Sequence, residues 1–167
     1  MMIQGSAHRY GANIDTDRII PARHCTTADA AELAKHALED LDPDFVGRVQ
    51  PGDVIIAEEN FGCGSSREVA PVTLKGAGVS CIIAKDFARI FFRNAINMGF
   101  PVFECPEIVD VSETGDVIIV DLDAWTIENK TRGRKCKPAA YPDEILAIFQ
   151  AGGLLNRIQA ARTQPTA

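Results

Sequence analysis

The sequence predicts an α/β fold built on a parallel β-α-β-α-β core, followed by antiparallel hairpins. Three short, nearly all-apolar runs at residues 54–57, 79–84 and 101–104 have the composition of strands that are covered on both faces. The segments between them carry apolar residues at helical spacing, which favours parallel strands joined by right-handed helical crossovers. From residue 109 onward, short runs separated by turn residues indicate antiparallel strands instead.

The chain before this core is predicted to contribute one strand and one helix. Residues 3–10 alternate weakly and predict the first strand, and residues 11–17 predict a turn rich in Asn and Asp. Asp29 is expected to cap a helix whose apolar positions continue at helical spacing as far as Leu41. Pro43 marks the end of that helix.

The remaining elements are predicted from their end signals. The two core helices are expected at residues 66–75, closed by the glycines that follow, and at residues 87–98, capped by Asp86. Beyond the core we expect two strands, two helices and a disordered tail, in the order 117–122, 125–128, 142–150, 154–162 and 163–167. The length fits a single domain, residues 1–162.

The composition narrows the class of protein. Of 167 residues, 46% are apolar and 24% are charged, as in ordinary globular proteins. The net charge of −6 and the pI near 5.0 argue against nucleic acid or an anionic membrane as a partner. We expect no membrane span, which takes ~20 apolar residues, and no signal peptide.

The cysteines and histidines predict no metal site within the chain. The five cysteines are odd in number and contain no C-x-x-C pair, which argues against a disulfide framework or an iron–sulfur site: Cys25, Cys63, Cys81, Cys105 and Cys136. The histidines are too few and too scattered for a metal site: His8, His24 and His36. A reducing cytoplasm is the simplest compartment.

A glycine-rich turn, NFGCGSSRE at residues 60–68, is the most informative motif. It follows a predicted strand and precedes a predicted helix, where backbone N–H groups and the positive helix end favour an anion. Ser65 or Ser66 would cap that helix, with Glu68 completing an approximate capping box. In the alternative interpretation, Ser65 is a catalytic base and Arg67 binds a substrate carboxylate.

Three further side chains each allow two interpretations. Cys63 lies near the same predicted helix start, which would lower the pKa of its thiol, but no His/Asn pattern is present to activate it. A small side chain packed beside the site is therefore favoured. Arg89 and Arg93 lie one helical turn apart and fit either a solvated helix face or contact with an acidic partner.

In four blocks the chain resembles the family that comprises the small subunits of 3-isopropylmalate dehydratase and homoaconitase and the mobile C-terminal domain of aconitase. The blocks occur in the same order as in that family and span nearly the whole chain. They are NIDTDRIIP at residues 13–21, ENFGCGSSRE at 59–68, AKDFARIFFRNAINMG at 84–99 and IFQAGGLLN at 148–156.

This resemblance implies a fold, a partner and a reaction. The fold would be the swivelling three-layer β/β/α domain. The chain would be half of an enzyme, active only with a larger subunit that holds a [4Fe–4S] cluster through three cysteines of its own. The reaction would move the hydroxyl of a 2-hydroxy dicarboxylic acid to the neighbouring carbon by dehydration and rehydration. Ser65 would be the catalytic base, Gly64, Ser66 and Arg67 would bind substrate carboxylate, and Asp17 would orient a catalytic group.

The resemblance also places the substrate-specificity loop at Arg23, His24, Cys25, Thr26 and Thr27. Homoaconitase-like subunits carry an arginine here that contacts the distal carboxylate, and alignment places Thr26 at that position. Tricarboxylates are therefore disfavoured, since a third carboxylate would lack its partner. Arg23 would supply a charge if the loop turned inward.

The sequence is consistent with several functions. The leading hypothesis is the small subunit of 3-isopropylmalate dehydratase in leucine biosynthesis. Because His24-Cys25-Thr26 is polar for an isopropyl pocket, a dehydratase of citramalate or dimethylmalate, or a homoaconitase-type subunit, is the alternative. A non-catalytic anion-binding or regulatory module is the alternative of a different class.

Overall fold

The computed structural model describes residues 1–163, in which seven strands form one sheet. The strands are β1 (Met2–Arg9), β2 (Val54–Ala57), β3 (Cys81–Ala84), β4 (Val102–Glu104), β5 (Val117–Asp121), β6 (Thr126–Asn129) and β7 (Arg134–Cys136). Their order across the sheet is β4-β3-β2-β1-β5-β6-β7. The first four pair in parallel, whereas β5 is antiparallel to β1 and continues into an antiparallel meander.

The predicted parallel core is confirmed. All four residues of β2 and all four of β3 are buried, and Ile55 pairs with Ile82 in register. These strands are read correctly from sequence because β-branched side chains pack well on both faces of a central strand. Strand β7 was not predicted, because its residues are polar and its pairing with β6 depends on the hairpin that joins them.

Two separate cores lie on the two faces of the parallel strands, which gives three layers. Ile55 and Ile82 face the helices, in a core that also contains Leu74 and Phe91. Alternate residues of the same strands face the other core, whose members come from the parallel strands and from β5 and β6: Ile56, Ile83, Ile118, Val120 and Ile127. The antiparallel half of the sheet therefore folds back over the parallel half, and the three-layer β/β/α prediction is confirmed.

Eight α-helices accompany the sheet in the described residues. They are α1 (Thr16–Ile19), α2 (Ala30–Ala34), α3 (Phe45–Arg48), α4 (Val69–Gly76), α5 (Arg89–Asn97), α6 (Pro106–Val111), α7 (Asp143–Gln150) and α8 (Leu154–Thr163), with a 3-10 turn at Ala22–His24. Between residues 1 and 163, no helix is both long and apolar enough to cross a membrane. Thr163 ends α8, and the rest of the predicted disordered tail lies outside the described residues.

Helix α2, which follows residues 23–27, is shorter than predicted. Asp29 caps α2 as expected, accepting hydrogen bonds from the backbone N–H groups of Ala31 and Glu32. However, α2 ends at Ala34, and the chain continues in turns that place Leu38 at φ +55°. Leu38 is nevertheless fully buried, so the apolar spacing that predicted a longer helix reflects burial of a turn.

The second core helix begins later than predicted, and Asp86 does not cap it. Helix α5 starts at Arg89, and Ala88 occupies the N-cap position. The Asp86 carboxylate instead accepts a hydrogen bond from the Asn60 N–H at 2.6 Å, and its carbonyl accepts one from the Phe61 N–H at 3.2 Å. Asp86 therefore ties the loop after β3 to the loop after β2.

Candidate active site

Three loops meet where the parallel strands β1, β2 and β3 reach their carboxyl ends. Three backbone hydrogen bonds of 2.8–2.9 Å hold the loop after β1 beside the loop after β2. They run from the Asn13 N–H to the Glu59 carbonyl, from the Gly62 N–H to the Ile14 carbonyl and from the Thr16 N–H to the Cys63 carbonyl. On the other side, the Ala88 N–H donates to the Phe61 carbonyl at 2.9 Å. The carboxyl ends of parallel strands are where open α/β sheets bind ligands.

The loop after β2 needs glycine at residues 62 and 64. Gly62 has φ +82° and Gly64 has φ +92°, a region that L side chains rarely adopt. A Cβ on Gly62 would also lie 2.2 Å from Cγ of Phe91, so the first turn of α5 can approach the loop closely only with glycine there. The glycines therefore bring the α5 start against the serines.

These elements enclose a cavity of about 260 Å³, called the Ser65 cavity below. Its lining residues come from α1, the loop after β2 and the start of α5: Thr16, Gly62, Gly64, Ser65, Arg67, Ala88, Arg89, Ile90, Phe91 and Asn94. Two of them are arginines and none is acidic, although the whole chain has a net charge of −6. The lining therefore favours an anionic ligand.

Ser65 contacts the buried side chain of Thr16. The Thr16 hydroxyl donates to the Ser65 carbonyl at 2.9 Å and lies 3.2 Å from the Ser65 hydroxyl, where either group can donate. Thr16 is buried, whereas Ser65 is exposed. Sequence reasoning missed Thr16, whose one signal was its place in the Asp15-Thr16-Asp17 block of the resemblance.

The predicted helix-capping role of the serines is wrong. Helix α4 begins at Val69, and Glu68 at its N-cap makes no side-chain capping bond. Neither Ser65 nor Ser66 therefore caps the helix, and Glu68 completes no capping box. Three residues, 66–68, separate Ser65 from the first residue of α4, so the helix end does not begin at the serines as predicted.

Arg67 is held in place from the side of α1. Its Nη1 atom forms an ion pair with Asp17 Oδ1 at 2.6 Å and donates a hydrogen bond to the Ile20 carbonyl at 3.0 Å. Among the described residues these contacts use Nη1 alone, so Nε and Nη2 are left for an anion. Asp17 thus lies where it orients Arg67, as a side chain 64% exposed at the rim.

The other predicted residues of the glycine-rich turn differ in their position relative to the Ser65 cavity. Gly64 lines the Ser65 cavity, whereas the exposed Ser66 is outside its lining. Cys63 is partly buried, and burial together with the nearby Asp15 carboxylate raises the pKa of its thiol. The expectation that a helix start lowers this pKa is therefore wrong, which weakens the nucleophile interpretation of Cys63.

The predicted substrate-specificity loop, residues 23–27, lies outside the lining of the Ser65 cavity, and Arg23 pairs elsewhere. The Arg23 guanidinium pairs with Glu39 at 2.6 Å and with Asp40 at 2.7 Å. Within the loop, the Thr27 hydroxyl accepts a hydrogen bond from the Asp29 N–H, the partly buried Cys25 thiol lies 3.5 Å from the Pro21 carbonyl, and Thr26 is exposed. The inward turn of Arg23 that would supply a substrate charge does not occur in this structure.

Two of the three histidines are close together in space, whereas His8 pairs with Asp53 instead. His24 and His36 stack at a ring-centroid distance of 3.6 Å, and both contact the Glu39 carboxylate, at 2.9 Å and 2.6 Å. Hydrogen bonds from His24, then His36, and from Arg23 lower the pKa of Glu39 to about 2. The prediction of no metal site assumed that the histidines are scattered, and this assumption was wrong for His24 and His36. The Glu39 oxygen that contacts His24 is, however, already paired with Arg23.

The model of the aconitase C-terminal domain matches residues 35–107. The 2,3-dimethylmalate dehydratase small subunit of Eubacterium barkeri is 53% identical, over 96% of this chain and 98% of that protein. The 3-isopropylmalate dehydratase small subunit of Caldicellulosiruptor bescii is 55% identical, over 95% and 96%. The crystal structure of 3-isopropylmalate dehydratase from Methanocaldococcus jannaschii superimposes with a TM-score of 0.89 at 42% identity, over 97% and 96%.

Proposed function

The chain belongs to the family of 3-isopropylmalate dehydratase small subunits, and from that premise we propose that it supplies the catalytic base to a two-subunit hydro-lyase. In this family the dehydratase activity belongs to the heteromeric complex, so the chain acts together with a large subunit. The observation that carries the proposal is the contact between Thr16 and Ser65 in a cavity lined by two arginines and no acidic residue.

Ser65 is the group that removes a proton from the carbon next to a substrate carboxylate. A serine hydroxyl is a weak base, so its ionised form needs stabilisation. The Thr16 hydroxyl, by turning from the Ser65 carbonyl to the Ser65 Oγ, donates a hydrogen bond to that form. The positive charges of Arg67 and Arg89 in the same cavity lining favour it further.

Arg67 binds one carboxylate of the substrate. The Asp17 carboxylate and the Ile20 carbonyl fix its guanidinium through Nη1, and the remaining N–H groups form a planar fork that suits a carboxylate. Gly64 lies in the same lining and lets the backbone approach the ligand. Ser66 is outside this lining, so its proposed contact with a substrate carboxylate rests on the family resemblance alone.

The iron–sulfur cluster that the family implies belongs to the large subunit. Within residues 1–163, the group of side chains placed to hold a metal ion is His24, His36 and Glu39, which contains no cysteine and does not fit a [4Fe–4S] cluster. Cys81 and Cys105 are buried in the core. The cluster supplies a Lewis acid for the leaving hydroxyl.

The unpaired thiols fit a reducing compartment, so we place the complex in the cytoplasm.

The substrate is a substituted malate, with 3-isopropylmalate as the first candidate. Most of the named relatives carry that substrate in their names, whereas the Eubacterium barkeri relative favours 2,3-dimethylmalate as the second. Homocitrate and citrate are disfavoured, because Thr26 stands where homoaconitase-like subunits have an arginine and Arg23 is engaged by Glu39 and Asp40.

Reconstitution with the large subunit tests this function. The complex is assembled anaerobically and offered isopropylmalate, dimethylmalate, citramalate, homocitrate and citrate, while ultraviolet absorbance follows the unsaturated intermediate. We expect turnover of isopropylmalate or dimethylmalate and none of the tricarboxylates. Ser65→Ala is expected to lower kcat by at least about 1,000-fold without changing assembly, since it removes the base.

Ser66→Ala is the matched control, because it removes a neighbouring hydroxyl that lies outside the Ser65 cavity. A smaller loss of kcat in Ser66→Ala than in Ser65→Ala supports the assignment of the base. Full activity of Ser65→Ala would contradict it. Tight assembly with no turnover of any of the five acids would favour the non-catalytic module instead.

A further inference from the structure

A second arginine reaches the Ser65 cavity from a different loop than Arg67. Arg89 is the first residue of α5 and lines the cavity together with Ser65 and Arg67. Its position is fixed by the pairing of Phe61 with Phe87 and by the hydrogen bond from the Ala88 N–H to the Phe61 carbonyl. The same backbone contacts that build the loop after β2 therefore place Arg89 in the lining of the Ser65 cavity, and Arg89 also lines a neighbouring cavity together with Arg93.

Arg89 differs from most arginines of the chain in its electrostatic surroundings. Six arginines of the described part pair with carboxylates: Arg9, Arg23, Arg48, Arg67, Arg132 and Arg134. The ion pairs of residues 1–163 do not include Arg89, which is exposed at a cavity without an acidic lining residue. Arg18, Arg93, Arg157 and Arg162 are likewise in none of these ion pairs, but within residues 1–163 Arg89 is the one of these five that lines the Ser65 cavity, where a ligand carboxylate can pair with it.

We propose that Arg89 binds the second carboxylate of the dicarboxylate substrate, while Arg67 binds the first. This assignment rests on the proposed function. Arg67 comes from the loop after β2 and Arg89 from the first turn of α5, and Ser65 belongs to the same lining, so a small diacid bound by both arginines would have its reacting carbon in the cavity that Ser65 lines. Asn94, five residues further along α5, also lines the cavity and can donate to the same carboxylate.

Substitution of Arg89 in the assembled complex tests the assignment. Arg89→Gln is expected to raise KM for the dicarboxylate substrate by about 10- to 100-fold, which is the loss of one charge-assisted pair, with a smaller change in kcat. Arg89→Lys is expected to recover part of the affinity, because it keeps the charge but loses the planar fork.

A half-amide distinguishes carboxylate binding from a general loss of charge. Succinate and succinamate, which differ in one carboxylate, are compared as competitive inhibitors of the wild-type complex and of Arg89→Gln. We expect the wild type to favour succinate and the variant to lose most of that preference. An equal preference in both proteins would contradict a role for Arg89 in binding the second carboxylate.

Arg93→Gln is the matched control on the same helix. Arg93 is exposed, lies one turn along α5 and is absent from the lining of the Ser65 cavity. We expect its KM and inhibitor preference to stay within about twofold of the wild type, as for a surface substitution away from the site. An equal rise of KM in both variants would assign the effect to net charge and overturn the proposal.

The outcomes also separate this inference from the function on which it rests. Turnover by the wild type with unchanged KM in Arg89→Gln would overturn the role of Arg89 alone. Absence of turnover by the wild type would overturn both. Weaker binding of Arg89→Gln to the large subunit, measured by sedimentation with inhibitor absent, would place Arg89 at the subunit interface and overturn the substrate contact.

Discussion

The hydroxyl of Thr16 lies 3.2 Å from the hydroxyl of Ser65, across 49 residues of sequence. Thr16 is buried at the start of α1, where its N–H also donates to the Cys63 carbonyl at 2.9 Å. The donor is therefore fixed by backbone contacts before any substrate arrives. Rotation of the Thr16 hydroxyl from the Ser65 carbonyl to the Ser65 Oγ is then the local change that stabilises the ionised serine.

Thr16→Val is predicted to reduce kcat of the reconstituted complex by about 100-fold, the loss typical for removing one donor to an oxyanion. Valine has nearly the same shape, so the fold and KM should change little. Because an unsupported serine ionises less readily, the rise of kcat with pH should move to higher pH. Steady-state kinetics across a pH series measures both effects.

The conservative variant Thr16→Ser provides the control for this first prediction. It keeps the hydroxyl and should retain most of kcat and the pH profile of the wild type. If Thr16→Val and Thr16→Ser behave alike, the methyl group of Thr16 rather than its hydroxyl is what the site needs.

Gly62→Ala is predicted to destabilise the protein by about 2 kcal/mol or more and to abolish activity. Alanine at φ +82° is strained, and its Cβ would lie 2.2 Å from Phe91 Cγ, which forces α5 away from the loop. Thermal unfolding of the isolated subunit measures the stability. Gly11→Ala is the control, because a Cβ there meets no atom within 4 Å, and a similar loss in Gly11→Ala would refute the steric explanation.

Low pH is predicted to destabilise the antiparallel half of the sheet, because Asp116 becomes protonated. Burial would raise the pKa of this carboxyl, but hydrogen bonds from Arg132, Asn129 and the Glu113 N–H lower it to about 2. A carboxyl whose pKa is lower in the folded state stabilises that state above the unfolded pKa. The stabilisation by Asp116 is therefore complete above about pH 4 and disappears as pH falls towards about 2.

Unfolding by urea at several pH values checks this dependence. Asp116→Asn should lower the free energy of unfolding by about 1–3 kcal/mol at pH 7, and its difference from the wild type should shrink between pH 4 and pH 2. Glu128→Gln, on the neighbouring strand β6, removes a carboxylate that makes none of these bonds and should show no such convergence. A constant difference for Asp116→Asn down to pH 2 would contradict the lowered pKa.

Local patterns were sufficient for the parallel core and for the position of the glycine-rich loop. In runs such as Val54–Ala57 and Cys81–Ala84 every consecutive residue is apolar and buried, so composition alone predicts a strand that is covered on both faces. The same local logic misplaced the starts of α4 and α5 and extended α2 past Ala34. Helix boundaries depend on which N–H groups find tertiary partners, and the sequence does not show those partners.

By itself the sequence determined the fold class, the family resemblance and the chemistry available at Ser65 and Arg67, because these depend on residue type and short spacing. Tertiary structure alone decided that Thr16 meets Ser65, that Asp17 fixes Arg67 and that Arg89 reaches the same cavity. Those pairs come from loops after different strands. Their contacts exist only because parallel pairing brings the carboxyl ends of β1, β2 and β3 to one edge of the sheet.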